Sequence, residues 1–312
     1  MKPIITMTLS PAFDLHCFCS DFLAEHENLA TVQSCDAGGK GINISRALRA
    51  NGIDSLALTL LGSENAATFA QLLDAEGIRH QDILLPGRIR ENITLHTDCK
   101  KETRISFNSF SADDTVLTDL EAMILAEVGT AQSFYLTLAG RVPDGISMHA
   151  LKRLLLRMKA RGACLVIDSK SFSTEDILEI RPWLIKPNEE EIAQYSAHTV
   201  TTEADAIEAI TVLHEKGIEH VLLTLGAKGA LLAYRDGILQ ASVPPITPLS
   251  TIGAGDSTIA GFLTAQQQGD DIPTSLLSAV SFGSAACLTE GTKPPQADAI
   301  ARIRAQGSVK KR

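Results

Sequence analysis

Ser250-Thr251-Ile252-Gly253-Ala254-Gly255-Asp256-Ser257-Thr258 joins a flexible Gly-Ala-Gly turn to an acid and then to a helix-like run, 259–268, whose apolar positions recur at Ile259, Phe262 and Leu263. A turn of this kind aims unpaired backbone N–H groups and the positive end of a helix dipole at one point, where an anion is held. A carboxylate there repels a phosphate and needs a reason to be present. It has one if Asp256 takes a proton from a hydroxyl while the N–H groups of Gly253, Ala254 and Gly255 stabilise a phosphoryl group in flight. The competing reading makes Asp256 a helix-capping residue and the glycines the shapers of a turn.

Ala37-Gly38-Gly39-Lys40-Gly41-Ile42-Asn43-Ile44-Ser45-Arg46-Ala47-Leu48 repeats the logic near the other end of the chain: a glycine-rich entry, then a helix with apolar positions Ile44, Ala47 and Leu48. Glycines let a ligand approach the main chain closely, and Asn43 offers both donor and acceptor atoms to a polyol. Two such turns suit a two-substrate site better than two coincidences.

Between them, strand-like apolar runs alternate with helical ones: 56–61 before 64–76, 133–138 before 146–161, 164–168 before 175–181, then 183–186, 204–216, 221–225 and 229–234. This alternation predicts a parallel sheet with helices on both faces, its ligands at the carboxyl ends of the strands. Four segments, 15–20, 31–35, 92–98 and 103–107, differ in being short alternating strands with no helices between them.

The composition supports an ordinary globular enzyme: 312 residues, 45% hydrophobic and 21% charged, with no apolar run approaching the ~20 residues of a membrane span. The chain opens directly into the strand-like Ile4-Ile5-Thr6-Met7-Thr8-Leu9, so the expectation is a cytoplasmic protein without a signal peptide or membrane association. A net charge of -9 argues against nucleic acid and requires any phosphate site to be built from local cations and dipoles. By the same measure Val309-Lys310-Lys311-Arg312 is expected to be a solvated tail. The six cysteines contain no Cys-x-x-Cys pair and are expected as reduced thiols, although Cys17, Cys19, Cys35 and Cys99 fall near the four short strands, where zinc is conceivable.

Together the two glycine motifs resemble the two signatures of the PfkB carbohydrate kinases of the ribokinase-like superfamily. The opening Thr8-Leu9-Ser10-Pro11-Ala12-Phe13-Asp14 is similar to the Thr-Leu-Asn-Pro-Ala-x-Asp of the 1-phosphofructokinase and tagatose-6-phosphate kinase branch. The resemblance spans about residue 4 to about residue 292. It implies an α/β fold with a mostly parallel sheet, and a small β-sheet lid made by the four short segments. The lid is interleaved with the rest, so 1–312 is expected as one domain, with a homodimer formed through exposed lid edges.

The resemblance also implies roles. Asp14, Gly39 and Asn43 would hold the sugar, and Arg90 the phosphate that the acceptor already carries, with Lys40 and Arg104 as further cations; kinases of uncharged acceptors would not need such a cluster. In Lys186-Pro187-Asn188-Glu189-Glu190-Glu191, similar to the family's Lys-Pro-Asn-x-x-Glu, Lys186 and Asn188 would face ATP. Asn188 and Glu191 would hold Mg2+ through water, where the alternative is an acidic helix N-terminus. Thr224, Gly226 and Gly229 match a Ser/Thr-x-Gly-x-x-Gly turn for the nucleotide, which could equally be a plain hairpin, and the small residues of 281–286 would wall the adenine.

The expected reaction is ATP-dependent phosphorylation of a ketohexose phosphate, fructose 1-phosphate first, with tagatose 6-phosphate and fructose 6-phosphate behind it. A kinase of a free sugar or nucleoside and a non-catalytic sugar-phosphate sensor are the rivals; a dinucleotide-dependent dehydrogenase is disfavoured because neither turn is Gly-x-Gly-x-x-Gly after the first strand. The chain departs from the branch pattern at Ala139-Gly140-Arg141, where Ser-Gly-Ser is usual, at Asn108-Ser109, where Pro-Gly is usual, and at Ser10, all expected to bear on acceptor identity.

Overall fold

The computed structural model describes residues 1–98, 102–195 and 200–312. The chain begins with β1 (Ile4–Thr8), β2 (Ala12–Phe18) and β3 (Thr31–Gly38), followed by α1 (Lys40–Ala50), β4 (Leu56–Gly62) and α2 (Ala66–Ala75). Next come β5 (His80–Leu85), β6 (Arg90–His96), β7 (Glu102–Ser106), α3 (Val116–Val128), β8 (Phe134–Ala139), α4 (Met148–Ala160), β9 (Ala163–Asp168), α5 (Thr174–Ile180) and β10 (Leu184–Ile185). The remainder is α6 (Glu189–Ile192), α7 (Glu203–Glu215), β11 (His220–Thr224), β12 (Ala230–Tyr234), β13 (Gly237–Ser242), α8 (Ala254–Gln268), α9 (Ile272–Ala286), α10 (Ala297–Ala305) and β14 (Ser308–Lys311).

Among the described residues the large sheet has ten strands in the order β14-β13-β12-β11-β10-β9-β8-β1-β4-β5. From β11 to β5 neighbours run parallel, and the other end closes with antiparallel pairs. The central β1 and β8 are buried at every position, as strands covered on both faces must be. The short strands form a second, four-stranded sheet, β3-β2-β6-β7. Register sets the position of the site: Ala139 pairs with Asp168 and Ile167 with Ile185, so Asp168 and Lys186 emerge side by side at the carboxyl edge.

Two features differ from the sequence reading. The last residues are no free tail: β14 pairs with β13, Val309 packs on the core, and Arg312 bonds Glu203 at 2.9 Å. An edge strand with unpaired backbone groups offers a partner that single-residue charge does not reveal. Helix α8 starts at Ala254, placing Asp256 inside its first turn, with Gly253 at φ +76° as N-cap. That left-handed conformation favours glycine. The small residues of 281–286 pack α9 onto α8, Gly283 against Thr258, and do not line the main cleft described below. Cys17 and Cys19 are buried with Leu95 in the smaller sheet, Cys35 is exposed, and Cys99 lies outside the described residues.

Candidate active site

A cleft of about 530 Å³ opens between the carboxyl edge of the large sheet and the smaller sheet. That is ample for a small-molecule substrate. On its floor Asp256 is 6% exposed, and its Oδ2 accepts from Asn43 Nδ2 at 2.8 Å. Burial, and after it the charge of Asp168, push the Asp256 carboxyl up to about 6, while Lys40, the Asn43 hydrogen bond and Lys186 act the other way. A carboxyl poised there is still ionised at neutral pH and is a stronger base than an ordinary aspartate. It does not cap the helix.

Asp168, the last residue of β9, has Lys40 Nζ at 3.0 Å and Lys186 Nζ at 3.6 Å. Burial alone would raise its pKa, but Lys186 and Lys40 together hold it below the ordinary carboxylate value. Lys40 is correspondingly raised: burial works against its charge, and Asp168 and Asp256 more than compensate. Lys186 also lies beneath the Gly255 main chain, where a side-chain carbon would meet its Nζ at 3.0 Å. Glycine at 255 therefore brings the ammonium close to the start of α8. Asp168 was missed in the sequence; its signal was an acid ending a strand of a parallel sheet, where ligands bind.

Two of the three residues named at the helix start reach the cleft. Gly253 and Gly255 border the cleft, whereas Ala254 does not, its N–H turning back to Thr251 O at 3.4 Å. Gly39, Lys40 and Asn43 border the cleft at the start of α1, beside Thr8.

The opposite wall comes from the smaller sheet. Asp14 on β2 accepts from buried Asn92 Nδ2 at 2.8 Å and has Arg104 Nη2 at 3.8 Å. Arg90 begins β6, and its guanidinium is destabilised first by burial and then by Arg141, with Asp14 opposing and Arg104 adding to the effect. Among the described residues, Arg90 Nε, Asn92 Oδ1 and Ser109 Oγ are buried without a hydrogen-bond partner. Ser10, Asn108, Ser109 and Arg141 converge on Arg90 around a small side cavity, so all but one of the departures from the branch pattern meet at one point. Ala139 is the exception: it is 2% exposed in the core and borders neither space.

On the remaining side, Lys186, Asn188, Glu191 and Thr224 border the cleft. Asn188 caps α6, accepting from Glu191 N at 2.8 Å, and Glu191 Oε2 accepts from Asn188 N at 3.1 Å. Gly226 and Gly229 shape the β11–β12 hairpin outside the cleft, where Leu225 N bonds Gly229 O at 2.9 Å. Among the described residues no group of three or more His, Cys, Asp or Glu could hold a metal ion.

A buried carboxylate beside helix-terminal N–H groups, facing a cationic wall across one cleft, suits group transfer. A pfkB family carbohydrate kinase model matches residues 8–299. The chain belongs to the PfkB carbohydrate kinase family. This kinase is 32% identical over 263 residues to 1-phosphofructokinase of Escherichia coli K12, covering 84% of this chain and 83% of that one. It is 30% identical over 309 residues to 1-phosphofructokinase of Rhodobacter capsulatus, covering 98% and 97%. Its fold matches the crystal structure of phosphofructokinase-2 from Escherichia coli in complex with potassium, with TM-score 0.90, 25% identity and coverage of 98% and 99%. The kinase is therefore a phosphotransferase acting on a sugar hydroxyl, of ribokinase-like α/β fold, and the family implies ATP as donor. No helix among the described residues is long and apolar enough to cross a membrane.

Proposed function

We propose that the kinase transfers the γ-phosphoryl group of ATP to a primary hydroxyl of a ketohexose phosphate, with fructose 1-phosphate as the preferred acceptor and fructose 1,6-bisphosphate as the product. Asp256 accepts the hydroxyl proton as the oxygen attacks the γ-phosphorus. The bond from that phosphorus to the bridging oxygen of ADP breaks, and the N–H groups at the start of α8, with Lys186 beneath Gly255, receive the charge that develops. Asp14 and Asn43 orient the sugar.

The observation that carries the acceptor class is the wall of Arg90, Arg104 and Arg141, with Arg90 Nε buried and without a partner among the described residues. A dianion supplies the acceptor oxygens such a wall lacks; the names of the relatives favour fructose 1-phosphate. Magnesium fits in one way. Asn188 and Glu191 bring hard oxygens to the cleft but are bound to each other's backbone, which suits contact through the ion's water shell. The ion would neutralise phosphate charge.

Exposed apolar side chains on and around the smaller sheet, Val32, Ile105 and Phe107 with Phe22, Leu23 and Leu29, support that sheet as both a lid and the face of a homodimer.

Measurement of ADP release over a panel of ketose phosphates and free sugars tests the proposal. Fructose 1-phosphate should give the highest kcat/KM, with tagatose 6-phosphate and fructose 6-phosphate lower. A preference for a free sugar overturns the acceptor class, and no turnover with any acceptor makes the protein a sensor.

A further inference from the structure

The amide of Asn43 lies between two groups that together allow it one orientation. Its Nδ2 donates to Asp256 Oδ2 at 2.8 Å, and its Oδ1 accepts from Arg46 Nη1 at 2.6 Å. A guanidinium can only donate and an ionised carboxylate can only accept, so exchanging the amide oxygen and nitrogen would break both bonds. Arg46, one helical turn beyond Asn43 on α1, is 6% exposed and held firmly. Its Nε and Nη2 fork onto the Glu76 carboxylate, with Nη2 to Oε1 at 3.0 Å, and Nη2 also donates to the Ala37 carbonyl at 2.6 Å. Glu76 is the C-cap of α2, at the negative end of a helix dipole, where a carboxylate is disfavoured. The helix gives no reason for an acid there; the Arg46 fork does.

We propose that Arg46 and Glu76 are positioning residues for phosphoryl transfer: they orient the Asn43 amide so that it donates to Asp256, committing one carboxylate oxygen to the protein and leaving the other for the acceptor hydroxyl. The proposal rests on Asp256 being the base. Ala37 belongs to β3 of the smaller sheet, so the guanidinium that orients the base also fastens the sheet carrying Asp14. The charged groups acting on Asp256 are Asp168 of β9, Lys186 following β10, and Lys40 of α1, and none of them can set the polarity of a neutral amide.

The test is the pH dependence of kcat, with ATP and acceptor saturating, in wild type, Arg46→Ala, Arg46→Lys and Glu76→Ala. Misplacement of a catalytic group by about 1 Å costs roughly 10²-fold, and each variant should lose about 10- to 100-fold in kcat while KM for ATP stays within about twofold. The acid limb of the profile should move to higher pH in all three, because an ionised Asp256 loses its donor. Glu76→Ala is decisive, since deleting a negative charge by Coulomb's law alone would move the limb to lower pH. Arg46, Arg49, Glu76 and Lys293 border a second cleft of about 360 Å³, through which guanidinium ion at millimolar concentration should restore kcat to Arg46→Ala and not to Glu76→Ala.

A limb that stays in place or moves down in Glu76→Ala overturns the proposal, as does a rise in KM with unchanged kcat. If Arg46→Ala does not fold, Arg46→Lys and Glu76→Ala decide by the same shift. Wild-type kcat in Asp256→Asn would instead overturn the reading of the base itself; an inactive Asp256→Asn beside an unmoved limb in Glu76→Ala overturns only the positioning role.

Discussion

The two walls of the cleft handle charge in opposite ways. On the large-sheet side, Asp256 and Asp168 are interleaved with Lys40 and Lys186, which compensate Asp168 fully and Asp256 only in part. Across the cleft, Arg90 and Arg104 of the smaller sheet, with Arg141 just after β8, share Asp14 and, at the rim, Asp144, with buried polar atoms left without partners among the described residues. The groups acting on Asp256 belong to the protein and are in place before any substrate arrives, so the compensation it has is internal. A residue that selects an anion is left under-compensated, and the ligand completes it.

Removing the base should break the comparison most severely. Asp256→Asn is expected to lower kcat by ~10² to 10⁴-fold or more, with ATP and acceptor affinities close to wild type by calorimetric titration. A kcat within a few-fold of wild type would place the chemistry elsewhere.

The same substitution should raise stability. The native carboxyl titrates at about 6 against 3.8 as its unperturbed value, so between those values the native chain binds more protons than the unfolded one. Stability therefore falls as pH rises through that window, and above it the ionised group costs on the order of 3 kcal/mol. Asp256→Asn is expected to unfold at a higher temperature than wild type at pH 8 and at about the same temperature at pH 4, measured by scanning calorimetry. A gain that is equal at both pH values would mean that the charge is not its cause.

On the other wall, Arg90→Ala should weaken the phosphorylated acceptor by about 1.5–3 kcal/mol for each charged hydrogen bond lost, leaving KM for ATP unchanged. Parallel increases in both constants would move Arg90 out of the acceptor wall. The smallest effect is expected at the rim. Arg141→Ser should cost a phosphorylated acceptor about 1 kcal/mol in kcat/KM and spare free sugars. Ala139→Ser, buried away from the cleft, should leave the substrate ratios alone; a shifted ratio there would show that the acceptor pocket reaches the end of β8.

Much of the fold was legible because hydrophobic periodicity is local: the alternation of strands and helices from 56 to 234 and the four short strands of the smaller sheet needed only neighbouring residues. The edge strand β14 was not, since its only apolar anchor is Val309 and its partner lies far away at Gly237–Ser242. At the site, the residues around Asp256 and the start of α1 were legible because glycine turns advertise backbone conformations that few other residues adopt.

What the sequence determined by itself was the family, the layered fold and an aspartate at the head of a helix, all carried by motifs of contiguous residues. Only the tertiary structure decided which charges meet. Asp168 acquired its surroundings by ending a strand beside Lys186, and Arg46, bound to Asn43 on its own helix, by meeting Glu76 at the end of another. Ser10, Asn108, Ser109 and Arg141 became one cluster around Arg90. Pairings between residues remote along the chain are set by strand register and helix packing, and a carboxylate or guanidinium at a single position carries no mark of the partner that folding will bring to it.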